Sequence, residues 1–344
     1  MTIESLFGEA VEMSASDIHL LPGLKPHLRV DGELKPYDGK ELSAKEIELL
    51  VKSMISENAF KKFVLEKELD FAYEISGGFR FRVNLHYVSG AIGLSARTIP
   101  AEVPSMKDVM MPQVAYDLCN MNRGLILVTG PTGCGKSTSL AAMIDYINEN
   151  RNENIITLED PIEFIFKPQK SIIRQRQLGT DMQSFQEGLI HVLRQDPNVV
   201  MVGEMRNLET IATTITLAET GHLVFATLHT YNAAQTIDRI IDIFPPHQQN
   251  QIRMQVSLTL KAVISQRLLP AKSGGRVAAR EILLNTPAVA NLIRENKVSQ
   301  IKTVIQTSAK EGMITIDNSL SSLYKDGYIS KEEYEANLMS TNGF

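Results

Sequence analysis

The sequence has little cysteine, no block of basic residues and no long apolar run, and each shortage excludes a class of protein. Its two cysteines, Cys119 and Cys134, are too few for a disulfide framework or a zinc cluster. The net charge is −5, and because phosphate-backbone affinity comes largely from Lys and Arg, direct nucleic-acid binding is not expected. No stretch is apolar enough to span a membrane, and residues 1–9 are acidic where a secretory signal would be basic. We therefore expect a cytoplasmic protein.

The length of 344 residues, with 43% hydrophobic and 22% charged residues, indicates a globular chain of two or more domains. Pro100, Pro104 and Pro112 interrupt one short segment, which we interpret as a linker. The predicted divisions are an N-terminal domain at 1–99, the linker at 100–112, a second domain at 113–285 and a C-terminal helical region at 286–344.

The chain is organised around a glycine-rich turn that follows the apolar run 125–129. Gly130, Gly135, Lys136 and Ser137 match the spacing of the phosphate-binding loop, with a strand-like run before it and a helix-forming run after it. Glycines let successive N–H groups turn toward phosphate oxygens, and the helix N-terminus attracts the same charge. We expect ATP here, with Lys136 reaching the β- and γ-phosphates and Ser137 ligating Mg²⁺. The predicted nucleotide-binding residues are Gly130, Pro131, Thr132, Gly133, Cys134, Gly135, Lys136, Ser137 and Thr138. Cys134 is either a reactive thiol or a small filler, and the filler is favoured.

Acidic residues follow the next apolar run, 154–158, in the segment Glu159-Asp160-Pro161-Ile162-Glu163. Acids at the carboxyl end of a strand beside a phosphate loop suit ligation of metal-bound water or polarisation of an attacking water. The alternative is a polar exit from strand to loop.

Two further strands are predicted, at 199–202 and 222–229. The first leads to Glu204, as in a Walker B segment whose carboxylate orients the Mg²⁺ shell, although an Asp is commoner there. The second ends at His229, where open α/β sheets place ligands, although a lone His near a strand end is usually structural. The alternation of strands and helices from 125 to 282 predicts an α/β fold with a mostly parallel sheet and helices on both faces.

The N-terminal domain is predicted to be α+β, with a hairpin turn at Asp31-Gly32 and a helix from Ser43 to about Asn58. In the strand 79–87, alternation places the apolar residues Phe79, Phe81, Val83, Leu85 and Tyr87 toward a core and Arg80, Arg82, Asn84 and His86 outward. Arg97 belongs to the next strand. These arginines either cover a solvated face or reach across an interface to a nucleotide as arginine fingers do.

Four segments together resemble a known family. Residues 130–138, 159–163, 202–206 and 218–230 are similar, in order, to the Walker A, Asp box, Walker B and His box of secretion and type IV pilus ATPases. Residues 15–19 and 29–32 resemble the opening of that family's PAS-like N-terminal domain. The resemblance implies a PAS-like α+β domain followed by a RecA-like P-loop ATPase domain and a C-terminal helical region.

Within the family, residues 288–295 are similar to the Ala-Ile-Arg-Asn-Leu-Ile-Arg-Glu signature of pilus retraction motors, with Ala290 in place of its first Arg. We also expect neither the long N-terminal extension nor the four-cysteine zinc insertion of the assembly ATPases. The resemblance therefore implies an ATPase motor for type IV pilus retraction and twitching motility. The alternatives are a type II/IV secretion or pilus-assembly ATPase, a nucleotide-gated scaffold and a RecA-like nucleic-acid motor.

The resemblance also implies roles and partners. Glu163 would polarise the attacking water, with Glu159 as the alternative. Glu204 would hold Mg²⁺ through its water shell, and His229 would sense the γ-phosphate. Whichever of Arg80, Arg82 and Arg97 face the nucleotide would stabilise developing charge. The chain would form a homohexameric ring in which each N-terminal domain packs on a neighbour's ATPase domain. It would be peripheral to the cytoplasmic face of the membrane, acting with an inner-membrane platform protein at the pilus base.

Overall fold

A computed structural model of the chain describes residues 2–30, 32–99 and 102–341. The chain divides into two compact units, the first containing residues 1–102 and 161–165 and the second containing 103–160 and 166–344. Asp31 of the predicted hairpin turn lies outside the described residues, as do Pro100 and Ala101 of the predicted linker.

The first unit is built on a six-stranded antiparallel sheet with the strand order β3-β2-β1-β6-β5-β4. Its described elements are α1 (Ile3–Glu12), β1 (Asp17–Leu20), β2 (His27–Val30), β3 (Glu33–Pro36), α2 (Ala44–Met54), α3 (Glu57–Glu66), β4 (Glu68–Glu74), β5 (Arg80–Val88) and β6 (Ala91–Ile99). The α+β character of this unit agrees with the prediction, and the finer PAS-like description stays a prediction.

Strand β5 shows the predicted alternation. Phe81, Val83 and Leu85 are fully buried, and Arg82 between them is exposed. The predicted core residues at the strand's ends, Phe79 and Tyr87, pack against the same core but are only partly buried. Period-two burial therefore fixes which face of β5 carries Arg82.

Helix α2 begins where the sequence predicts. The Ser43 side chain accepts a hydrogen bond from the Glu46 amide, and the Glu46 carboxylate accepts one from the Ser43 amide. The predicted end near Asn58 is wrong, because α2 ends at Met54 and Ser56 caps a new helix by accepting from the Ala59 amide. A second serine cap divides the expected single helix into two.

The second unit contains a seven-stranded sheet with the order β13-β12-β7-β11-β10-β8-β9. Neighbours from β12 to β9 are parallel, and β13 is antiparallel to β12. The strands are β7 (Gly124–Thr129), β8 (Asn154–Glu159), β9 (Ile172–Gln177), β10 (Val199–Val202), β11 (Leu223–Leu228), β12 (Leu260–Pro270) and β13 (Arg276–Leu284). The described helices are α4 (Gln113–Cys119), α5 (Lys136–Asn150), α6 (Phe185–Val192), α7 (Leu208–Glu219), α8 (Ala233–Asp242), α9 (Pro246–Thr259), α10 (Pro287–Arg294), α11 (Ile301–Thr307), α12 (Ile316–Lys325) and α13 (Lys331–Thr341), with short 3₁₀ helices at Val298–Gln300 and Ala309–Glu311.

Strands β7, β8, β10 and β11 are buried along their whole length, which is the pattern of a parallel sheet covered on both faces. The α/β fold predicted from the sequence is confirmed. Because these strands are parallel neighbours, their carboxyl ends lie along one edge of the sheet. At these ends lie the phosphate loop after β7, Glu159 as the last residue of β8, Glu204 after β10 and His229 after β11.

No helix among residues 2–30, 32–99 and 102–341 combines the length and the apolar character that crossing a bilayer requires.

Candidate functional site

The turn between β7 and α5 has the backbone that the glycine spacing predicts. Gly130 has φ +144°, and a Cβ there would lie 2.3 Å from the carbonyl oxygen of Gln266 and 2.6 Å from Cys134 Sγ. Gly135 adopts a left-handed conformation with φ +83° immediately before the helix. Any larger side chain at Gly130 would displace the loop from strand β12, so glycine is required by contact as well as by conformation.

Lys136 is the first residue of α5 and is 8% exposed. Its ammonium donates hydrogen bonds to the carbonyl oxygens of Gly130 and Pro131, at 2.8 and 3.1 Å. Ser137, next along the helix, is exposed. The loop thus presents a buried cation and an accessible hydroxyl side by side at a helix N-terminus, which suits a phosphate and its metal ion.

His229 connects the phosphate loop to the Walker B acid. Its Nε2 lies 3.1 Å from Glu204 Oε1, while Arg206 holds the other Glu204 oxygen at 2.8 Å. The His229 Nδ1 lies 3.4 Å from Thr132 Oγ1 and 3.5 Å from Lys136 Nζ. Four residues that were predicted separately, from three motifs, therefore form one contiguous polar group.

The sheet order explains this meeting. Strand β11, which ends just before His229, lies between β7 and β10, with Leu228 beside Thr129 and Ala226 beside Val202. The Thr227 backbone carbonyl accepts from the Met205 amide at 3.1 Å, and the Thr227 hydroxyl donates to the Gly203 carbonyl. Glu204 is therefore carried on a loop tied on both sides to the strand that presents His229.

Glu159 ends strand β8 and is 7% exposed. Its Oε1 accepts hydrogen bonds from Thr157 Oγ1 at 2.6 Å and from Gln175 Nε2 of β9 at 3.1 Å. The carboxylate is therefore held by its own strand and the neighbouring one.

Glu163 lies in the segment 161–165, which belongs to the first unit, and its side chain is half-buried. The arginines Arg82 and Arg97 belong to the same unit. The group around His229 therefore joins part of the predicted site, and the roles of Glu163, Arg82 and Arg97 stay predictions.

Arg97 and Arg82 are directly opposite each other on β6 and β5. Arg97 Nε lies 2.9 Å from Asp17 Oδ1, although the Arg97 side chain is 72% exposed. Burial alone would raise the pKa of Asp17, but hydrogen bonds from Ser16 and Arg97 outweigh it and lower that pKa below its ordinary value. Like charges directly opposite across a sheet are destabilising, so an anion brought to Arg82 and Arg97 would be favoured.

Arg80, the third candidate, is half-buried and pairs with Glu74 of the adjacent strand at 3.6 Å between Nε and Oε2. Asn84 and His86, also predicted to face outward, are half-buried. Among the outward positions of β5 between residues 80 and 86, Arg82 is the one that the structure leaves exposed.

Cys134 lies buried in the phosphate loop, and burial raises the pKa of its thiol. Burial raises the pKa of Cys119 to about 12. Neither thiol is poised to form a thiolate, which agrees with the interpretation of Cys134 as a filler.

Two residues in contact with the loop were missed from the sequence. Gln266 Nε2 donates to the Cys134 carbonyl at 2.7 Å, and Ser139 Oγ donates to Gln266 Oε1 at 2.9 Å. Gln266 is more than 120 residues from the loop in sequence, and only the placement of β12 beside β7 brings it there. Nothing local in the sequence signals that contact.

The sequence pattern of the family described as "Type II/IV secretion system protein" matches residues 1–273. The chain belongs to the type II/IV secretion system protein family. It is 45% identical to the type IV pilus retraction ATPase PilT of Pseudomonas aeruginosa over 96% of each chain. It is 47% identical to a twitching motility protein of Neisseria gonorrhoeae, covering 89% of this chain and 82% of that one. Its structure is similar to a crystal structure of the pilus retraction motor PilT with bound ADP, with a TM-score of 0.91, 46% identity and 97% and 96% of the two chains covered.

These likenesses confirm the predicted kinship with pilus retraction ATPases, and this member of the type II/IV secretion system protein family is an ATPase that binds nucleotide.

Proposed function

We propose that the chain is a motor that hydrolyses ATP to drive retraction of type IV pili. It acts as a homohexamer on the cytoplasmic face of the membrane at the pilus base, against an inner-membrane platform protein. The observation that carries the proposal is the contact of His229 with Glu204, Thr132 and Lys136, because it joins the phosphate loop to the Walker B acid. The 45% identity to a pilus retraction ATPase supports the direction of the force.

The phosphate loop holds the nucleotide. Its backbone amides and the N-terminus of α5 face the phosphates, and the Lys136 ammonium exchanges the carbonyls of Gly130 and Pro131 for the β- and γ-phosphate oxygens. A retraction motor of similar structure was crystallised with ADP, which supports an adenine nucleotide here.

The donor groups fit Mg²⁺. The exposed Ser137 hydroxyl and the Glu204 carboxylate, which is 23% exposed, are hard oxygen ligands. Within the described part of the chain, no three or more His, Cys, Asp or Glu residues are grouped to hold a metal ion. Mg²⁺ usually keeps several waters and shares phosphate oxygens, so it needs few ligands from the protein. Ser137 would bind the ion directly and Glu204 would orient its water shell, while the ion neutralises charge on the phosphates.

Glu163 is the better candidate for polarising the attacking water. The Glu159 Oε1 already accepts hydrogen bonds from Thr157 and Gln175, so it is engaged within the sheet rather than directed at a water. Glu163 is half-buried and stands on a segment after the strand. We assign Glu159 to shaping the strand end and Glu163 to the water.

His229 senses the γ-phosphate. It already contacts both the loop and Glu204, so a γ-phosphate near Thr132 would change the hydrogen bonds of its ring. Arg82 and Arg97 supply positive charge to the nucleotide held by a neighbouring subunit, which would relieve their mutual repulsion.

Deletion of the gene in a piliated host tests the function. We expect long surface fibres that fail to retract, and loss of twitching. Wild-type protein should restore retraction, the Lys136→Ala variant should not, and the exposed-lysine control Lys325→Ala should. Restoration by Lys136→Ala, or normal retraction in the deletion strain, would contradict the proposal.

A further inference from the structure

Arg280 of β13 is a buried cation outside the group around His229. It is 4% exposed, and in the part of the chain that the structure describes it forms no ion pair with a carboxylate. Burial lowers the pKa of Arg280 to about 10, so it is still charged near neutral pH. A buried charge without a counterion is costly, and its hydrogen bonds indicate what it serves.

The guanidinium of Arg280 contacts two separate parts of the second unit. It donates to the carbonyl oxygens of Val109 and Met110, at 2.8 and 3.0 Å, and to Ser139 Oγ at 3.4 Å. Val109 and Met110 belong to the segment before α4, and Ser139 is on the helix that begins at the phosphate loop. Arg280 therefore joins the linker to the phosphate-loop helix.

The contacts continue from Ser139 into the phosphate loop itself. Ser139 Oγ donates to Gln266 Oε1 at 2.9 Å, and Gln266 Nε2 donates to the Cys134 carbonyl at 2.7 Å. Gln266 and Arg280 are directly opposite each other on β12 and β13, so the two side chains are placed by one strand pair. An unbroken hydrogen-bonded path thus runs from the Cys134 carbonyl to the carbonyls of Val109 and Met110.

The linker end of this path is a strained turn at residues 105–111. Met110 has φ +51°, a left-handed conformation that costs energy for a residue with a side chain. Backbone bonds from Met110 to the Lys107 carbonyl and from Met111 to the Met106 carbonyl hold it. Reciprocal hydrogen bonds between Ser105 and Asp108 close the turn's start. Strained backbone persists where its surroundings determine it, so the Arg280 bonds help to set this turn.

We propose that Arg280 is a positioning residue that couples occupancy of the phosphate loop to the conformation of the linker turn 105–111. Binding of a nucleoside diphosphate or triphosphate fixes the loop and its Cys134 carbonyl. Gln266, Ser139 and Arg280 transmit that constraint to the Val109 and Met110 carbonyls. The turn leads along the chain to the first unit, so it is one covalent route by which nucleotide binding can act on that unit. This coupling rests on nucleotide binding by the loop.

Hydrogen–deuterium exchange of the full-length protein with and without saturating ADP tests the coupling. In the wild type, ADP should slow exchange of amides in residues 105–111. Arg280→Gln replaces the guanidinium with a shorter amide that cannot donate to Val109, Met110 and Ser139 together. Ser139→Ala cuts the path between linker and loop while leaving the Arg280 bonds to Val109 and Met110. Both variants should lose the ADP-dependent change at 105–111, and the control Arg276→Gln, an exposed arginine on the same strand, should keep it.

Calorimetry of ADP binding distinguishes loss of nucleotide binding from loss of the coupling. Variants that bind ADP but show no ADP-dependent change in amide exchange at residues 105–111 support the coupling. Absence of ADP binding in the wild type would overturn the nucleotide site and the coupling with it. An ADP response that persists in either variant, or that is absent from the wild type despite binding, would overturn the coupling alone. If thermal unfolding shows that Arg280→Gln does not fold, Ser139→Ala decides the outcome by the same criteria.

Discussion

The His229 Nε2 lies 3.1 Å from Glu204 Oε1, so the residue that follows one buried strand contacts the acid that follows the neighbouring strand. The other ring nitrogen lies 3.4 Å from the Thr132 hydroxyl of the phosphate loop. A single imidazole therefore spans the loop that we propose binds phosphate and the acid that we propose orients Mg²⁺. This position suits a group that reports hydrolysis to the rest of the subunit.

Replacement of His229 by alanine should lower kcat for ATP hydrolysis by about 100-fold. Its effect on the KM for ATP should be smaller, because Lys136 and the loop amides still bind the phosphates. Steady-state kinetics of purified protein measures both constants. The matched control is His247→Ala, an exposed histidine at the start of α9. An unchanged kcat in His229→Ala would show that His229 takes no part in ATP hydrolysis.

The two candidate carboxylates should separate on mutation. Glu163→Gln should reduce turnover by about 100-fold or more while ATP binding persists, because an amide cannot accept a proton from water. Glu159→Gln should keep most turnover and lower the free energy of unfolding by about 1 kcal/mol, since one accepted hydrogen bond is weakened. ATPase assays and urea denaturation measure these effects. The reverse ranking of the two activities would make Glu159 the catalytic carboxylate.

Removal of both Arg82 and Arg97 should reduce hydrolysis by about 1000-fold in assembled protein, as expected where arginines stabilise the transferring phosphoryl group. The assay must be accompanied by a measurement of particle size, so that loss of assembly is not mistaken for loss of chemistry. Arg29→Gln is the control, because Arg29 lies on the same sheet and its Nε is 3.8 Å from the same Asp17 carboxylate. Full activity in the assembled double variant would mean that both arginines only cover a solvated face of the sheet.

Asp17 should make the free energy of unfolding of the first unit depend on pH in the acidic range. Its pKa lies below the ordinary value of 3.8, because hydrogen bonds from Ser16 and Arg97 outweigh burial. The folded state therefore binds the proton less tightly than the unfolded state does, so the contribution is present above pH 3.8 and is lost as the pH falls through the lowered pKa. Urea denaturation should show that Asp17→Asn is less stable than wild type near neutral pH, with the difference shrinking in acid. A difference that does not depend on pH would contradict the assignment.

Much of the nucleotide-binding unit was predictable because its signals are local. The phosphate-loop spacing and the buried runs of β7, β8, β10 and β11 each depend on neighbouring residues. The edge strand β9 was missed because four of the six residues in its sequence, Ile-Ile-Arg-Gln-Arg-Gln, are polar and all six are exposed or half-buried. It lacks the apolar continuity of the central strands.

The contacts that join motifs were not predictable from the sequence. Local patterns identified Glu204 and His229 as candidates, but their contact depends on the order of strands in the sheet. The buried path through Arg280 and Gln266 depends on the β12–β13 register, which no single-sequence pattern specifies. The resemblance to a known family supplied roles for Glu163 and the arginines, and those roles await the mutations above.

The central claim is that ATP is cleaved where two copies of the chain meet, with one copy holding the phosphates and the next supplying arginines. Turnover per subunit, measured across a dilution series together with particle mass from light scattering, tests it most directly. Turnover should rise as rings assemble and fall toward zero as they dissociate. A monomer that hydrolyses ATP as fast as the assembled protein would contradict it.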